Sequence, residues 1–340
     1  MTKLPIHSLL WRDEEVAGFF SSDAELAGII RYEAALAGAQ SSAGIISGEA
    51  ALAVAGACAA FKPDIADLLR GIERDGMAIP ELIRQLRNTI PEQFRDVLHL
   101  RSTSQDVIDT ALILAVAKGL KVLETRLTGI ISQLHQLRLS SGKTAQMART
   151  RMQRALPITL GDRITAWQAP LQRHLQRVEE LKPRLLVIQI GGPVGIDDAP
   201  WSRALAETLG LGVPDRSWHT ARDGLAELGG WLSLVTGSLG KLGQDIAMMA
   251  QNEIGEVTIE GGGKSSAMHH KSNPVAAELL VALARHNATM VAGLHQALVH
   301  EQERSGAAWA LEWMILPTMF ETAAAALSHC TRLLAKARFT

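Results

Sequence analysis

The sequence predicts an all-α protein organised as a bundle of long helices, and three observations carry that expectation. Hydrophobic residues make up 47% of the 340-residue chain but aromatic residues only 4%. The apolar set is mostly Ala and Leu, which lose little side-chain entropy in a helix, whereas strands favour aromatic and β-branched residues. Val116, Leu120, Leu123, Leu127, Ile130, Leu134 and Leu137 follow one another in alternating steps of four and three, as do Leu225, Leu228, Leu232, Val235, Leu239, Leu242, Ile246 and Met249. Each run is a seam of 3.5-residue period extending ~35 Å at ~1.5 Å per residue, and helices of that length need long partners.

From the N-terminus, Ser22-Asp23-Ala24-Glu25 reads as a capping box in which the Ser22 hydroxyl and the Glu25 carboxylate satisfy free amides. A helix over residues 23–40 follows, with Leu26, Ile29, Ile30 and Leu36 toward a core. Shorter helical patterns broken by Pro63, Pro80 and Pro91 fit a small helical domain over residues 1–100, leaving 101–340 as the central long-helix bundle domain. In the second seam helix Gly237, Gly240 and Gly243 lie off the seam. Each would weaken an isolated helix by ~1 kcal/mol but lets a neighbouring backbone approach closely. Residues 165–181 and the stretches after Pro274 and Pro317 also read as helices. The run from Leu185 to Ile190 resembles a strand, or continues the preceding helix beyond a kink at Pro183. Several apolar faces per helix are more than one copy can cover, so an oligomer is expected.

Composition narrows the function classes. A formal charge of −1 supplies no global field for nucleic acid or an anionic membrane, so neither partner is expected and any anion site must be local. The first fifteen residues break into Pro and charges too early for a signal peptide, and no stretch approaches the ~18 unbroken apolar residues of a membrane span. Cys58 and Cys330, at opposite ends of the chain in Ala-rich sequence, read as buried free thiols in a reducing cytoplasm. None of the 11 histidines forms His-x-x-x-His with a nearby acid and no dinucleotide fingerprint is present, so neither metal nor organic cofactor is expected.

Three segments concentrate polar chemistry. The run E-G-G-G-K-S-S-A-M-H-H-K-S-N-P, from Glu260 to Pro274, places three glycines before Ser265, Ser266, Lys271 and Asn273. Read alone it is a lid, a binding element or a flexible connector, and its glycine spacing does not fit a phosphate loop. T-S-Q-D-V-I-D-T-A, from Thr103 to Ala111, sets two hydroxyls where a helix begins, as a plain N-cap or as a carboxylate-binding terminus. A-R-T-R-M-Q-R-A-L-P-I-T-L-G, from Ala148 to Gly161, carries Arg149, Arg151 and Arg154, which alone read as a solvated cluster.

Together these segments resemble the conserved regions of the fumarase/aspartase superfamily. The first is similar to its loop G-S-S-x-M-P-x-K-x-N-P, with Lys264 in place of Gly and His269 in place of Pro. The second resembles T-S-x-D-x-x-D-T-A, although His99-Leu-Arg-Ser102 departs from the usual H-x-G-x before it. The third resembles G-R-T-x-x-Q-x-A-x-P-x-T-x-G, with Arg151 where most members carry a catalytic or orienting His. Loss of that His is tolerated in the bacterial 3-carboxy-cis,cis-muconate cycloisomerase branch. W-H-T-A-R-D from Trp218 to Asp223, and Glu303-Arg304 followed by Glu312-Trp313, lean the same way, while Phe61-Lys-Pro-Asp64 lacks the His-Asp pair of adenylosuccinate lyases.

The resemblance implies a fumarase/aspartase-type helix bundle, here ending at Thr340 without the family's usual C-terminal third domain, and a homotetramer whose active sites draw on different subunits. It implies lactonisation of a small tricarboxylate in the cytoplasm, within aromatic catabolism, with an adenylosuccinate-lyase-like C–N or C–O lyase as the alternative. It makes Ser265 the proton-transfer residue, with His269 or His270 as competing donors and Lys271 stabilising the developing charge. Thr103, Ser104, Arg151, Gln153, Ser266, Asn273 and Arg304 are the implied substrate-binding set.

Overall fold

The computed structural model describes residues 5–196, 198–264, 267–268 and 271–340. Five helices precede the long bundle: α1 (Glu14–Phe19), α2 (Ser22–Ser42), α3 (Gly48–Ala60), α4 (Ile65–Asp75) and α5 (Ile79–Asn88). The capping residue of α2 is Ser21 rather than Ser22: its Oγ accepts from the Ala24 amide at 3.3 Å, one position earlier than expected. Either serine has the right chemistry, and Ser21 is the one with extended backbone (φ −71°, ψ 157°).

The first seam becomes α6 (Ser104–Ser141), 38 residues long, with its seam residues from Val116 to Leu134 buried. A hairpin of β1 (Ala145–Thr150) and β2 (Gln153–Thr159) reverses the chain into α7 (Leu160–Leu185). Helix α7 runs through Pro183, and the residues after it form neither a regular strand nor more helix. Val187 makes a single parallel bridge to Gly212, and Ile188 and Gln189 are buried. Helix α8 (Ser202–Leu209) leads to α9 (Asp223–Met249), which carries the second seam, buried along its length. Three short strands, β3 (Val257–Ile259), β4 (Gly263–Lys264) and β5 (Ser272–Asn273), lead into α10 (Val275–Gln296). Helix α11 (Gly306–Lys336) begins well before Pro317, which lies inside it, and β6 (Ala337–Phe339) pairs antiparallel with β3.

Helices α6, α7, α9, α10 and α11 share one core that also takes in Val16. A second core joins residues 29–98 to the first turns of α6, to α8 and to Trp309. Of Gly237, Gly240 and Gly243 on α9, the expected close approach occurs at the last two. A β-carbon on Gly240 would lie 2.5 Å from the Ala284 β-carbon, and one on Gly243 2.6 Å from the Ala277 carbonyl oxygen, both on α10. Gly237 faces open space, so its cost to the helix is not matched by packing. Among the described residues no helix is long and apolar enough to cross a membrane.

Contacts fix the direction of the bundle. Trp309 meets Asp109 and Arg126 meets the Ala324 carbonyl, so α6 and α11 run side by side in the same direction. One end of the bundle holds the start of α6, the end of α7, residues 217–223 and the start of α11. The other holds the β1–β2 hairpin, the end of α9, β3 to β5 and the end of α11.

Candidate active site

The start of α6 is shaped by α2. Tyr32, Glu33 and Gln40 are buried polar residues on α2, and each reaches the segment that precedes Thr103. The Tyr32 hydroxyl lies 3.2 Å from Ser102 Oγ, Glu33 Oε1 lies 2.6 Å from His99 Nδ1, and Gln40 Nε2 donates to the Leu100 carbonyl at 2.7 Å. Burial alone would lower the His99 pKa, but the Glu33 charge and hydrogen bond override it and hold it above the ordinary histidine value. His99 and Arg101 sit at φ 63° and 54°, a left-handed backbone that costs a non-glycine residue ~1 to 3 kcal/mol. These side-chain bonds hold the strained turn in place, and it delivers Ser102, Thr103 and Ser104 half-buried at the helix N-terminus.

The first turn of α6 then enters a buried ionic network. The Thr103 amide donates to Asp106 Oδ2 at 3.0 Å, so Asp106, not solvent or ligand, satisfies that donor. One turn on, Asp109 accepts from Arg222 at 2.6 and 3.0 Å and from Trp309 Nε1 at 2.9 Å. The same guanidinium reaches Glu312 at 2.9 and 2.5 Å and stacks 4.6 Å from the Trp218 ring. Arg222, Asp109 and Glu312 are at most 2% exposed. Burial opposes the Arg222 charge, yet the two carboxylates raise its pKa further. Burial raises the Glu312 carboxyl against the pull of Arg222. The side chain of His300 is buried beside them, its Nε2 3.8 Å from Glu312, and burial together with Arg222 pushes its pKa down.

Arg304 belongs to this end: its Nε donates to Gln105 Oε1 at 3.0 Å and its Nη2 to the Pro193 carbonyl at 3.1 Å. The structure therefore brings Thr103, Ser104 and Arg304 together. Arg151 and Gln153 lie elsewhere. Arg151 and Met152 form the exposed tip of the β1–β2 hairpin, at φ 49° and 67°. Positive φ at both central residues is what a tight two-residue hairpin turn demands, usually of Asn or Gly. Gln153 opens β2 opposite Thr150 and is exposed. Arg149 is held by Glu256 Oε1 at 2.7 Å, which ties the hairpin to the chain just past α9.

Lys271 is exposed and Asn273 half-buried, where β5 pairs Asn273 with Gly263 and Ser272 with Lys264. The Glu260 amide donates to the Lys336 carbonyl, which anchors this segment at the end of α11. Ser265, Ser266, His269 and His270 lie outside the described residues. The 31 residues of α11 span roughly 45 Å at ~1.5 Å per residue. Within one chain, Thr103 and Ser104 are therefore separated from Lys271 and Asn273 by about the length of the bundle.

The sequence alone assigns no role to Asp106, Asp109, Gln105, His219, Arg222 or Glu312. The available signal was the spacing of Asp106 and Asp109, which puts two acids on one helix face inside an otherwise apolar run. Among the described residues, no group of three or more His, Cys, Asp or Glu side chains is placed to hold a metal ion.

A protein-family profile described as Lyase matches residues 15–289. The 3-carboxy-cis,cis-muconate cycloisomerase of Pseudomonas aeruginosa is 37% identical over 327 residues, covering 93% of this chain and 71% of that protein. Trans-aconitate decarboxylase 1 of Mycosarcoma maydis is 32% identical over 319 residues, covering 91% of this chain and 65% of that protein. The crystal structure of the 3-carboxy-cis,cis-muconate lactonizing enzyme from Pseudomonas putida superposes with a TM-score of 0.91 at 35% identity, covering 98% of this chain and 77% of that one. With the helix bundle, the Thr-Ser helix start and the Lys-x-Asn-Pro segment all present, the chain belongs to the fumarase/aspartase superfamily and is closely related to its bacterial 3-carboxy-cis,cis-muconate cycloisomerases.

Proposed function

We propose that this chain converts 3-carboxy-cis,cis-muconate to 4-carboxymuconolactone. The observation that carries the reading is its similarity to cycloisomerases over 93% of its length, with the W-H-T-x-R-D and E-W residues built into one buried network. In this reaction a substrate carboxylate oxygen adds to the conjugated diene, a C–O bond forms, and one proton is delivered to the adjacent carbon. The substrate's own carboxylate is the nucleophile, so the enzyme supplies none. It holds three carboxylates, folds the substrate into the attack geometry and stabilises the aci-carboxylate that carries the extra charge before protonation.

Each group has a place in that task. Ser265 delivers the proton, with His269 or His270 as the competing donor, and the adjoining Lys271 and Asn273 stabilise the developing charge. Thr103, Ser104 and Arg304 hold one carboxylate at the α6 N-terminus, where free amides favour an anion. Ser266, Arg151 and Gln153 complete the set. Arg151 is a fixed cation that cannot shuttle a proton, so it serves as a carboxylate clamp.

The roughly 45 Å between the two ends of the bundle supports a shared site, because residues so far apart meet when neighbouring copies pack antiparallel. Exposed Leu139, Leu234 and Met314 on α6, α9 and α11 offer apolar surface for such packing, and a homotetramer fits both facts. An ultraviolet assay tests the reaction directly, since lactonisation removes diene conjugation. Loss of the diene band at a rate proportional to enzyme is expected. A stable band, alongside turnover of trans-aconitate or adenylosuccinate, would reassign the activity.

A further inference from the structure

Segments distant in sequence converge on one carboxylate at the start of α6. Asp106 is fully buried, and its Oδ2 accepts from the Thr103 amide and from the Gly192 amide, each at 3.0 Å. Its Oδ1 lies 2.8 Å from His219 Nε2, and His219 is 3% exposed. A carboxylate accepts rather than donates, so Nε2 carries the hydrogen of that bond. The other ring nitrogen, Nδ1, is buried without a hydrogen-bond partner and lies against the loop that contains Gly192. A β-carbon on Gly195 would sit 3.2 Å from it, and one on Gly191 would sit 2.5 Å from Ser217 Oγ. Gly192 and Gly195 also have φ of 64° and 78°, so this loop is glycine-rich both for its backbone and for its close seat on residues 217–219. Gln105 ties the remaining side, donating to the His219 carbonyl at 2.8 Å while accepting from Arg304.

We propose that His219 and Asp106 are a positioning pair, locking the α6 N-terminus that carries Thr103 and Ser104 to the glycine loop. The pair touches no reacting atom. It sets how well the substrate carboxylate is held, and it rests on the carboxylate-binding role given above to Thr103 and Ser104. Charge-assisted buried hydrogen bonds are among the stronger ones, and misplacing a positioning element by ~1 Å can cost up to ~10² in rate or affinity.

The test compares wild type, His219→Leu and His219→Gln by steady-state kinetics on 3-carboxy-cis,cis-muconate and by amide hydrogen exchange. His219→Leu should raise KM about tenfold, the scale of losing one charge-assisted bond, while kcat changes less than about threefold. Exchange should quicken together in peptides spanning 98–106 and 188–196 and stay unchanged in the middle of α6. His219→Gln keeps an N–H within reach of Asp106 and should recover a large part of both losses. Equal losses in the two variants, a fall in kcat at unchanged KM, or faster exchange over the whole chain would overturn the proposal. A wild-type enzyme without lactonising activity would defeat the proposed function alone, and the paired exchange response would then decide the positioning role by itself.

Discussion

The two ends of the bundle solve the problem of holding an anion in different ways. At the α6 end the charged groups are buried and mutually bonded: Arg222 grips Asp109 and Glu312, Asp106 gathers two amides and His219, and Thr103 and Ser104 are presented half-buried. At the opposite end Arg151, Gln153 and Lys271 stand exposed on short hairpins, two of whose turn residues have positive φ. At one end the buried polar groups largely satisfy one another, and at the other Arg151 and Lys271 are exposed charges. On the proposed function neither end is a complete site, and each supplies what the other lacks.

The sharpest test is to remove the proposed proton donor. Ser265→Ala should lower kcat by at least ~10², the low end for losing a general acid, with helical content and oligomeric state unchanged. Near-normal turnover in that variant, together with loss in His269→Ala, would move the proton to the histidine.

The buried end should instead answer in stability. Asp109→Leu leaves the Arg222 guanidinium with one carboxylate and removes the acceptor of Trp309 Nε1. Breaking a buried ion pair by deleting one partner costs ~3 to 5 kcal/mol, so a large fall in the denaturation midpoint is expected. A shift comparable to that of a surface substitution would mean that the network is not structural.

Specificity comes next. On the proposed shared site the hairpin tip is buried against a second copy, so loss of the third carboxylate leaves the Arg151 guanidinium buried without its partner, at ~1 to 3 kcal/mol, and kcat/KM should favour 3-carboxymuconate over plain cis,cis-muconate by about tenfold or more. Arg151→Lys keeps the charge but not the bidentate fork and should not restore that preference. Values for the two muconates within threefold of each other would remove the clamp.

What the sequence discloses follows the same division. The seams of α6 and α9 were legible because a 3.5-residue period needs only local information, and the seam positions from Val116 to Leu134 and from Leu225 to Met249 are all buried. The β1–β2 hairpin was not legible. Gln-Arg-Ala-Leu-Pro-Ile-Thr lacks a clean period of two, and an Arg-Met turn carries none of the Asn-Gly chemistry that marks a hairpin. The buried network was hidden for another reason: Asp109 finds Arg222 and Trp309 across 113 and 200 residues of sequence. The resemblance marked Asp109 and Arg222 but not Trp309, and it gave them no partners. Ser21 rather than Ser22 caps α2 because adjacent serines are chemically equivalent and backbone geometry alone chooses between them.

The smallest expected effect concerns the strained turn before Thr103. Because the folded-state pKa of His99 is raised above its ordinary value of 6.5, its bond to Glu33 stabilises the fold fully below that value and is lost as pH rises through the higher, folded-state pKa. His99→Gln should therefore lower Tm by about 2 °C at pH 5.5 and by less at pH 9. An equal decrease at both pH values would show that the charge of His99 is not involved.

The proposed site is assembled from opposite ends of different copies, and subunit mixing tests this most directly. Thr103→Val and Lys271→Ala disable different ends, so each homo-oligomer should be close to inactive on 3-carboxy-cis,cis-muconate. Co-refolding the two variants should return a substantial fraction of wild-type turnover, since some sites in a mixed oligomer receive an intact Thr103 from one copy and an intact Lys271 from another. Mixed oligomers that form but remain as inactive as either parent would contradict the shared site.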